Sequence, residues 1–121
     1  MLSIIIPTLN EEKNIVRILE LIKSSKFNDY EVIVADAGST DKTVELAKDY
    51  NCIITKGGPP AKGRNCGAKI AKGDILLFLD ADLDIRPRDF VLEAVKRFNE
   101  KKLDIASFPI YPQRSNFFIN P

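Results

Sequence analysis

Leu2-Ser3-Ile4-Ile5-Ile6-Pro7-Thr8-Leu9-Asn10-Glu11 starts as a β-branched apolar run, is interrupted at Pro7 and closes in a Thr-x-x-Glu pattern. Such a run predicts a strand over residues 2–6 that stops at Pro7. Thr8 and Glu11 have the spacing of a capping box, in which a hydroxyl and a carboxylate satisfy the free N–H groups of a helix start. Behind them Ile15, Ile18, Leu19 and Ile22 fall at i, i+3, i+4 and i+7, the apolar stripe of an amphipathic helix. The opening stretch therefore reads as one β-α unit, and the fold depends on whether that unit recurs.

It recurs along the chain. Residues 30–35 read as a strand, Asp36-Ala37-Gly38-Ser39-Thr40-Asp41 as a turn rich in capping residues, and 42–50 as a helix with Val44 and Ala47 inward. A short strand over 52–55 runs into Lys56-Gly57-Gly58-Pro59-Pro60, which cannot be regular structure. A helix over 61–71 carries Gly63, Gly67 and Ala71 at i, i+4 and i+8, a stripe that lets its backbone approach the sheet or a ligand closely. Residues 74–79 read as a central strand, and Arg86-Pro87-Arg88 as the start of a helix burying Phe90, Val91, Ala94, Val95 and Phe98. A fifth strand is expected over 104–108. The alternation predicts an α/β fold of three layers: a mostly parallel sheet with helices on both faces. Residues 1–110 form the expected α/β domain, and 111–121 an irregular tail read as the start of a missing half.

Composition narrows the chemistry. With 121 residues, 45% of them hydrophobic, one domain with a full core is available, burying ~65% of the unfolded surface. Eighteen basic residues against 17 acidic ones leave no global field for nucleic acid or an acidic membrane. No histidine is present, which removes Ser-His-Asp and Cys-His machinery and every His-ligated zinc site. Cys52 and Cys66 have no metal or disulfide spacing and read as reduced thiols in or near the core. The N-terminus lacks a basic segment followed by a long apolar stretch, so the expected location is cytoplasmic, at most against the cytoplasmic face of a membrane.

In open sheets of this kind ligands sit outside the carboxyl ends of the strands. The first four strands run out, in turn, into Pro7-Thr8, Asp36, Lys56-Gly57-Gly58, and Asp80-Ala81-Asp82. If the last of these is extended, Asp80 and Asp82 point to the same side. Two like charges held that way suit Mg²⁺ or Mn²⁺, which take oxygen ligands and leave positions open for phosphates. Lys62 and Arg64 lie at a helix start that already favours an anion. An EF-hand from Asp80 fails, since Ile85 and Val91 occupy its glycine and glutamate positions. Gly57-Gly58-Pro59-Pro60 does not match a P-loop. A haloacid-dehalogenase-type phosphatase remains as an alternative, although Asp84 replaces its Thr/Val and the motif follows the fourth strand.

Taken together, these motifs resemble the nucleotide-sugar half of a family 2 glycosyltransferase with a GT-A fold. The similarity rests on Ser3-Ile4-Ile5-Ile6-Pro7-Thr8-Leu9-Asn10-Glu11, on Val34-Ala35-Asp36-Ala37-Gly38-Ser39-Thr40-Asp41-Lys42-Thr43, on Gly63-Arg64-Asn65-Cys66-Gly67-Ala68, and on Gly73-Asp74-Ile75-Leu76-Leu77-Phe78-Leu79-Asp80-Ala81-Asp82, in order. It implies that Pro7, Thr8 and Glu11 border the nucleotide pocket and that Asp36 hydrogen-bonds the base. Arg64 would contact the nucleotide or its diphosphate, and Asp80-Ala81-Asp82 would be the D-x-D motif, its two carboxylates holding Mg²⁺ or Mn²⁺. Ala37 stands where a second aspartate is common, and Asp84 reads as solvated surface. The implied activity is inverting sugar transfer from a UDP- or GDP-linked donor to a lipid phosphate, polysaccharide or protein glycan. The general base of such a reaction is expected in the acceptor half and absent from this chain. A nucleotide-sugar-binding module without turnover, completed by another chain or by self-association through the apolar tail, is the second reading.

Overall fold

The computed structural model describes residues 1–83, 89–101, 106–109 and 116–120. In chain order the elements are β1 (Leu2–Thr8), α1 (Glu12–Lys23), β2 (Tyr30–Asp36), α2 (Thr43–Asp49), β3 (Ile53–Lys56), α3 (Pro60–Ile70), β4 (Ile75–Phe78), α4 (Phe90–Lys101), β5 (Ala106–Pro109) and β6 (Asn116–Asn120). The strands form one sheet in the order β3-β2-β1-β4-β6-β5. β1, β2, β3 and β4 pair in parallel, while β6 runs antiparallel to both β4 and β5. From β1 the chain first winds outward through β2 to β3, then returns to place β4 on β1's other side. The switch point thus lies between β1 and β4.

β1 is the spine of the core because its side chains alternate between two apolar layers. Leu2, Ile4 and Ile6 pack with Ile15, Ile18, Leu19 and Ile22 of α1, Leu77 of β4, and Phe90, Val91, Ala94 and Val95 of α4. Ile5 points the other way, toward α3. There the small-residue stripe finds its reason: a Cβ built on Gly67 would stand 2.5 Å from Ile5 Cγ2, and one on Gly63 3.0 Å from Pro7 Cβ. The close approach expected of this stripe is therefore to the sheet.

Several local readings change. Pro7 does not end β1, which pairs with β2 through Thr8↔Asp36. The ladder to β4 stops at Ile5↔Phe78, so beside Pro7 the strand needs hydrogen bonds on one side only, where proline is tolerated. The capping box does not form. Helix α1 begins at Glu12 with Glu11 as its N-cap and no side-chain cap, because Thr8 remains in the strand and spends its hydroxyl on Asp36. In α2 the buried positions are Thr43 and Ala47, with Val44 half-buried. The expected start of α4 at residues 86–88 lies outside the described residues. Within them, the Asp89 carboxylate caps the helix by accepting from the Leu92 N–H at 3.1 Å. It also ties down the end of α1 through Ser25 and the Lys26 N–H. In the tail expected to be irregular, Asn116–Asn120 forms β6 between β4 and β5. A five-residue antiparallel strand is set by its neighbours and leaves little local periodicity to read.

No helix among the described residues is long and apolar enough to cross a membrane. Both cysteines are free and half-buried. Burial pushes the Cys52 thiol up to about 11, so it is protonated at neutral pH and serves packing, not nucleophilic chemistry.

Candidate functional site

The parallel register brings Thr8, Asp36 and Lys56 into one row across the carboxyl ends of β1, β2 and β3. Asp36 is buried, at 9% exposure, and a carboxylate there must be fully bonded. It is: Oδ1 accepts from Thr8 Oγ1 at 2.7 Å and from Ser39 Oγ at 2.6 Å. Oδ2 accepts from the Gly38 and Ser39 N–H groups at 3.0 and 2.8 Å. Burial alone would push this carboxyl up, but the donors from Ser39, Thr8 and Gly38 outweigh it and hold the group below the ordinary carboxylate range. The turn after Asp36 needs Gly38, whose φ of +103° penalises a side chain.

Because the native pKa of Asp36 is lowered, its stabilisation is present above the unfolded-state value of about 4 and is lost as pH falls through the depressed native value. Asp36→Asn turns an amide NH₂ toward existing donors, and we expect a loss of about 1–3 kcal/mol at neutral pH. Thermal melts across pH should show the gap between wild type and variant closing in acid. A gap independent of pH would mean that the charge is not what holds the loop.

Residues read as helix caps instead clamp two loops together. The Asn10 N–H donates to Ser39 Oγ at 2.8 Å, and Asn10 Oδ1 accepts from the Thr40 N–H at 2.9 Å. The Glu11 N–H donates to Thr43 Oγ1 at 2.8 Å, and the Glu12 N–H to Asp41 Oδ2 at 3.2 Å. Asn10 has φ +53°, a conformation asparagine tolerates better than most residues, and its residue type is the one sequence signal for this role. Glu11 lies at this clamp, its carboxylate accepting from Asn14 Nδ2.

A second group lies at the end of β4. The Leu79 N–H still donates to the Ile5 carbonyl, but the chain then turns, with the Leu83 N–H donating to the Asp80 carbonyl at 3.2 Å. The extended geometry expected for Asp80 and Asp82 is therefore replaced by a turn, anchored because Ala81 and Leu83 are buried in the core. In that turn Asp80 is half-buried and Asp82 exposed. Arg17 of α1 donates to the Leu83 carbonyl, and Arg64 of α3 stands 3.6 Å from Asp80 Oδ1. That spacing is looser than a bidentate pair and leaves guanidinium donors for another anion. Among the described residues no cluster of three or more acidic or cysteine side chains forms a ready metal cage.

Between the ends of β2 and β3 a cleft of about 350 Å³ is lined by Asp36, Ala37, Gly38, Val44, Ile54, Thr55, Lys56 and Gly57. A larger one, about 660 Å³, lies by the carboxyl ends of α1 and α2 and the start of β2. It is at the opposite end of the strands from the polar row and holds none of the candidate site residues expected from the sequence.

A doubly wound α/β sheet with an acidic and a cationic side chain facing each other at the carboxyl ends of its strands defines a class of domain whose ligands sit in the crevice at the switch point. Within that class this chain belongs to glycosyl transferase family 2, whose family model matches residues 3–121. It is 32% identical over 113 residues to the poly(ribitol-phosphate) beta-N-acetylglucosaminyltransferase TarS of Staphylococcus aureus, a match covering 85% of this chain and 20% of that protein. To the 4,4'-diaponeurosporenoate glycosyltransferase of Staphylococcus haemolyticus it is 33% identical, over 78% of this chain and 27% of the relative. The structure superposes on TarS 1-349 in complex with UDP-GlcNAc with a TM-score of 0.74 at 32% identity, covering 86% of this chain and 32% of TarS 1-349. It superposes equally well, at a TM-score of 0.74 and 25% identity, on glucosyl-3-phosphoglycerate synthase from Mycobacterium tuberculosis with Mn²⁺, UDP and glucosyl-3-phosphoglycerate; 87% of this chain and 42% of the synthase are covered. The fold is accordingly GT-A. The chain spans about a fifth of TarS and about a quarter of the second relative. The haloacid-dehalogenase alternative falls away with the family assignment.

Proposed function

We propose that the chain is the donor-binding part of a glycosyltransferase that takes a sugar from a nucleoside diphosphate sugar and passes it, with inversion, to an acceptor hydroxyl or phosphate. The observation that carries this reading is the gathering of Thr8, Asp36, Arg64, Asp80 and Asp82 at one edge of the sheet, around the switch point. Relatives solved with UDP-GlcNAc and with UDP and Mn²⁺ support a UDP-linked donor.

Two aspartates at a turn, one exposed and one half-buried, fit a divalent cation as part of an oxygen shell that a diphosphate and water complete. Asp80 and Asp82 would hold Mg²⁺ or Mn²⁺, and when bound the ion supplies Lewis-acid stabilisation of charge on the leaving diphosphate. The protein's own share is positional. Arg64 offers guanidinium donors to the diphosphate, and the clamp between the loops after β1 and β2 fixes the segment from Thr8 to Glu12, which with Pro7 would border the nucleotide. Proton removal from the acceptor needs a general base. Asp89 is committed to capping α4, and Glu93 and Glu100 are exposed on that helix. Among the described residues after Asp82 no carboxylate is placed as a base, and it is expected from a part of the relatives' length that this chain does not span.

The need for a base from elsewhere favours, as a second reading, a module that binds nucleotide sugar without turnover. Calorimetry with UDP-GlcNAc, UDP-glucose and GDP-linked sugars in Mn²⁺, followed by a sugar-release assay, separates the two. Binding with release of sugar supports the transferase, and binding without it supports the module. No binding by any donor refutes both.

A further inference from the structure

The cleft between β2 and β3 is short of free hydrogen-bond donors in a specific way. Both oxygens of Asp36 each accept two hydrogen bonds from within the protein, and an ionised carboxylate has about four acceptor sites in all. The backbone donors around it are spent as well. The Ala37 N–H bonds the Thr8 carbonyl and the Gly57 N–H the Asp36 carbonyl. The Gly38 and Ser39 N–H groups bond Asp36, and the Thr40 N–H bonds Asn10. Ala37 and Gly38 bring no polar side chain, and Val44 and Ile54 form apolar wall. The side-chain donors that remain in the lining are those of Thr55 and Lys56. Lys56 is exposed and enters no ion pair among the described residues.

Resting on the nucleotide reading above, we propose that Lys56 selects the base by donating to a carbonyl on the base edge remote from the sugar, and that Asp36 is a positioning residue that shapes the loop. The strand order sets the direction. Arg64, Asp80 and Asp82, the groups suited to the diphosphate, sit at the β4 side of the switch point, and β1, β2 and β3 follow in turn. A nucleotide with its phosphates at β4 and its base in the cleft presents the base's far edge to β3, where Lys56 stands. On that edge uracil and guanine carry a carbonyl, and cytosine and adenine an amino group. An ammonium has only donors, so it rewards the first pair and clashes with the second. Asp36 helps by forming the cleft's floor, since its side chain pins residues 38 and 39 and its carbonyl pins Gly57.

The test is calorimetry of this chain with UDP and CDP in Mn²⁺, repeated on Lys56→Met and Lys56→Arg, with melts to confirm folding. Wild type should prefer UDP by about tenfold or more, the scale of a charge-assisted hydrogen bond. Lys56→Met should bring the two nucleotides to similar affinity by weakening UDP, and Lys56→Arg should retain the preference. Equal binding of UDP and CDP by wild type, or an undiminished preference in Lys56→Met, overturns the assignment of Lys56 while leaving the nucleotide reading intact. Failure of wild type to bind UDP, CDP and, in a third titration, GDP overturns both.

Discussion

Asp82→Ala is expected to remove the Mn²⁺-dependent part of UDP affinity, a loss on the order of 100-fold where a charged metal ligand is deleted. The melting temperature should not change. Asp82 is exposed and enters no hydrogen bond or ion pair among the described residues, so the fold loses no contact when its carboxylate goes. Asp80 is the less clean probe, because it faces Arg64 at 3.6 Å and its truncation frees that guanidinium to meet the diphosphate directly. Isothermal titration of wild type and Asp82→Ala with UDP, in Mn²⁺ and then in chelator, isolates the effect. In chelator the two proteins should bind alike. If Asp82→Ala keeps the full gain from Mn²⁺, the carboxylate is not a metal ligand and the D-x-D reading fails.

Gly67→Val should cost more stability than Asp36→Asn or Asp82→Ala, about 3 kcal/mol or more. Even a bare Cβ at this position stands 2.5 Å from Ile5 Cγ2 and 3.3 Å from Ile5 Cγ1. Ile5 is completely buried in β1, between β2 and β4, so it cannot retreat without moving the strand that carries Pro7 and Thr8. α3 must back away instead, taking Arg64 with it. We expect a drop in melting temperature of about 10 °C or more for a domain of this size, and weaker UDP binding even where the variant remains folded. Gly67→Ala should fall between. A Gly67→Val protein as stable as wild type would show that α3 does not pack against the sheet this closely.

Most of the architecture was legible because it rests on local signals. The apolar stripe of α1 at Ile15, Ile18, Leu19 and Ile22 is buried as spaced, and alternation of strands and helices implied the parallel core of the sheet. The Gly63 and Gly67 stripe announced a close approach without saying to what, and the answer is Ile5 and Pro7. What escaped was settled by partners distant in sequence. Asn116–Asn120 became a strand because β4 and β5 offer it backbone groups on both sides. Thr8 and Glu11 looked like a capping box because their spacing fits one, yet a buried carboxylate 28 positions away draws the Thr8 hydroxyl more strongly than a solvated helix end does.

The site divides along the same line. The sequence by itself determined which chemistry was possible: without histidine, polar work had to fall to carboxylates, hydroxyls, lysine and arginine, and the order of strands and loops sent Thr8, Asp36, Lys56, Arg64, Asp80 and Asp82 toward one edge. Tertiary structure alone decided how each group is spent. Asp36, buried at the end of β2, has all its acceptor capacity drawn inward by Thr8, Gly38 and Ser39, whereas Asp82, held outside by the burial of Ala81 and Leu83 on either side, keeps its carboxylate exposed. The two residues are the same amino acid. Burial without water forces one to find its partners inside the protein, and exposure lets the other be satisfied by solvent.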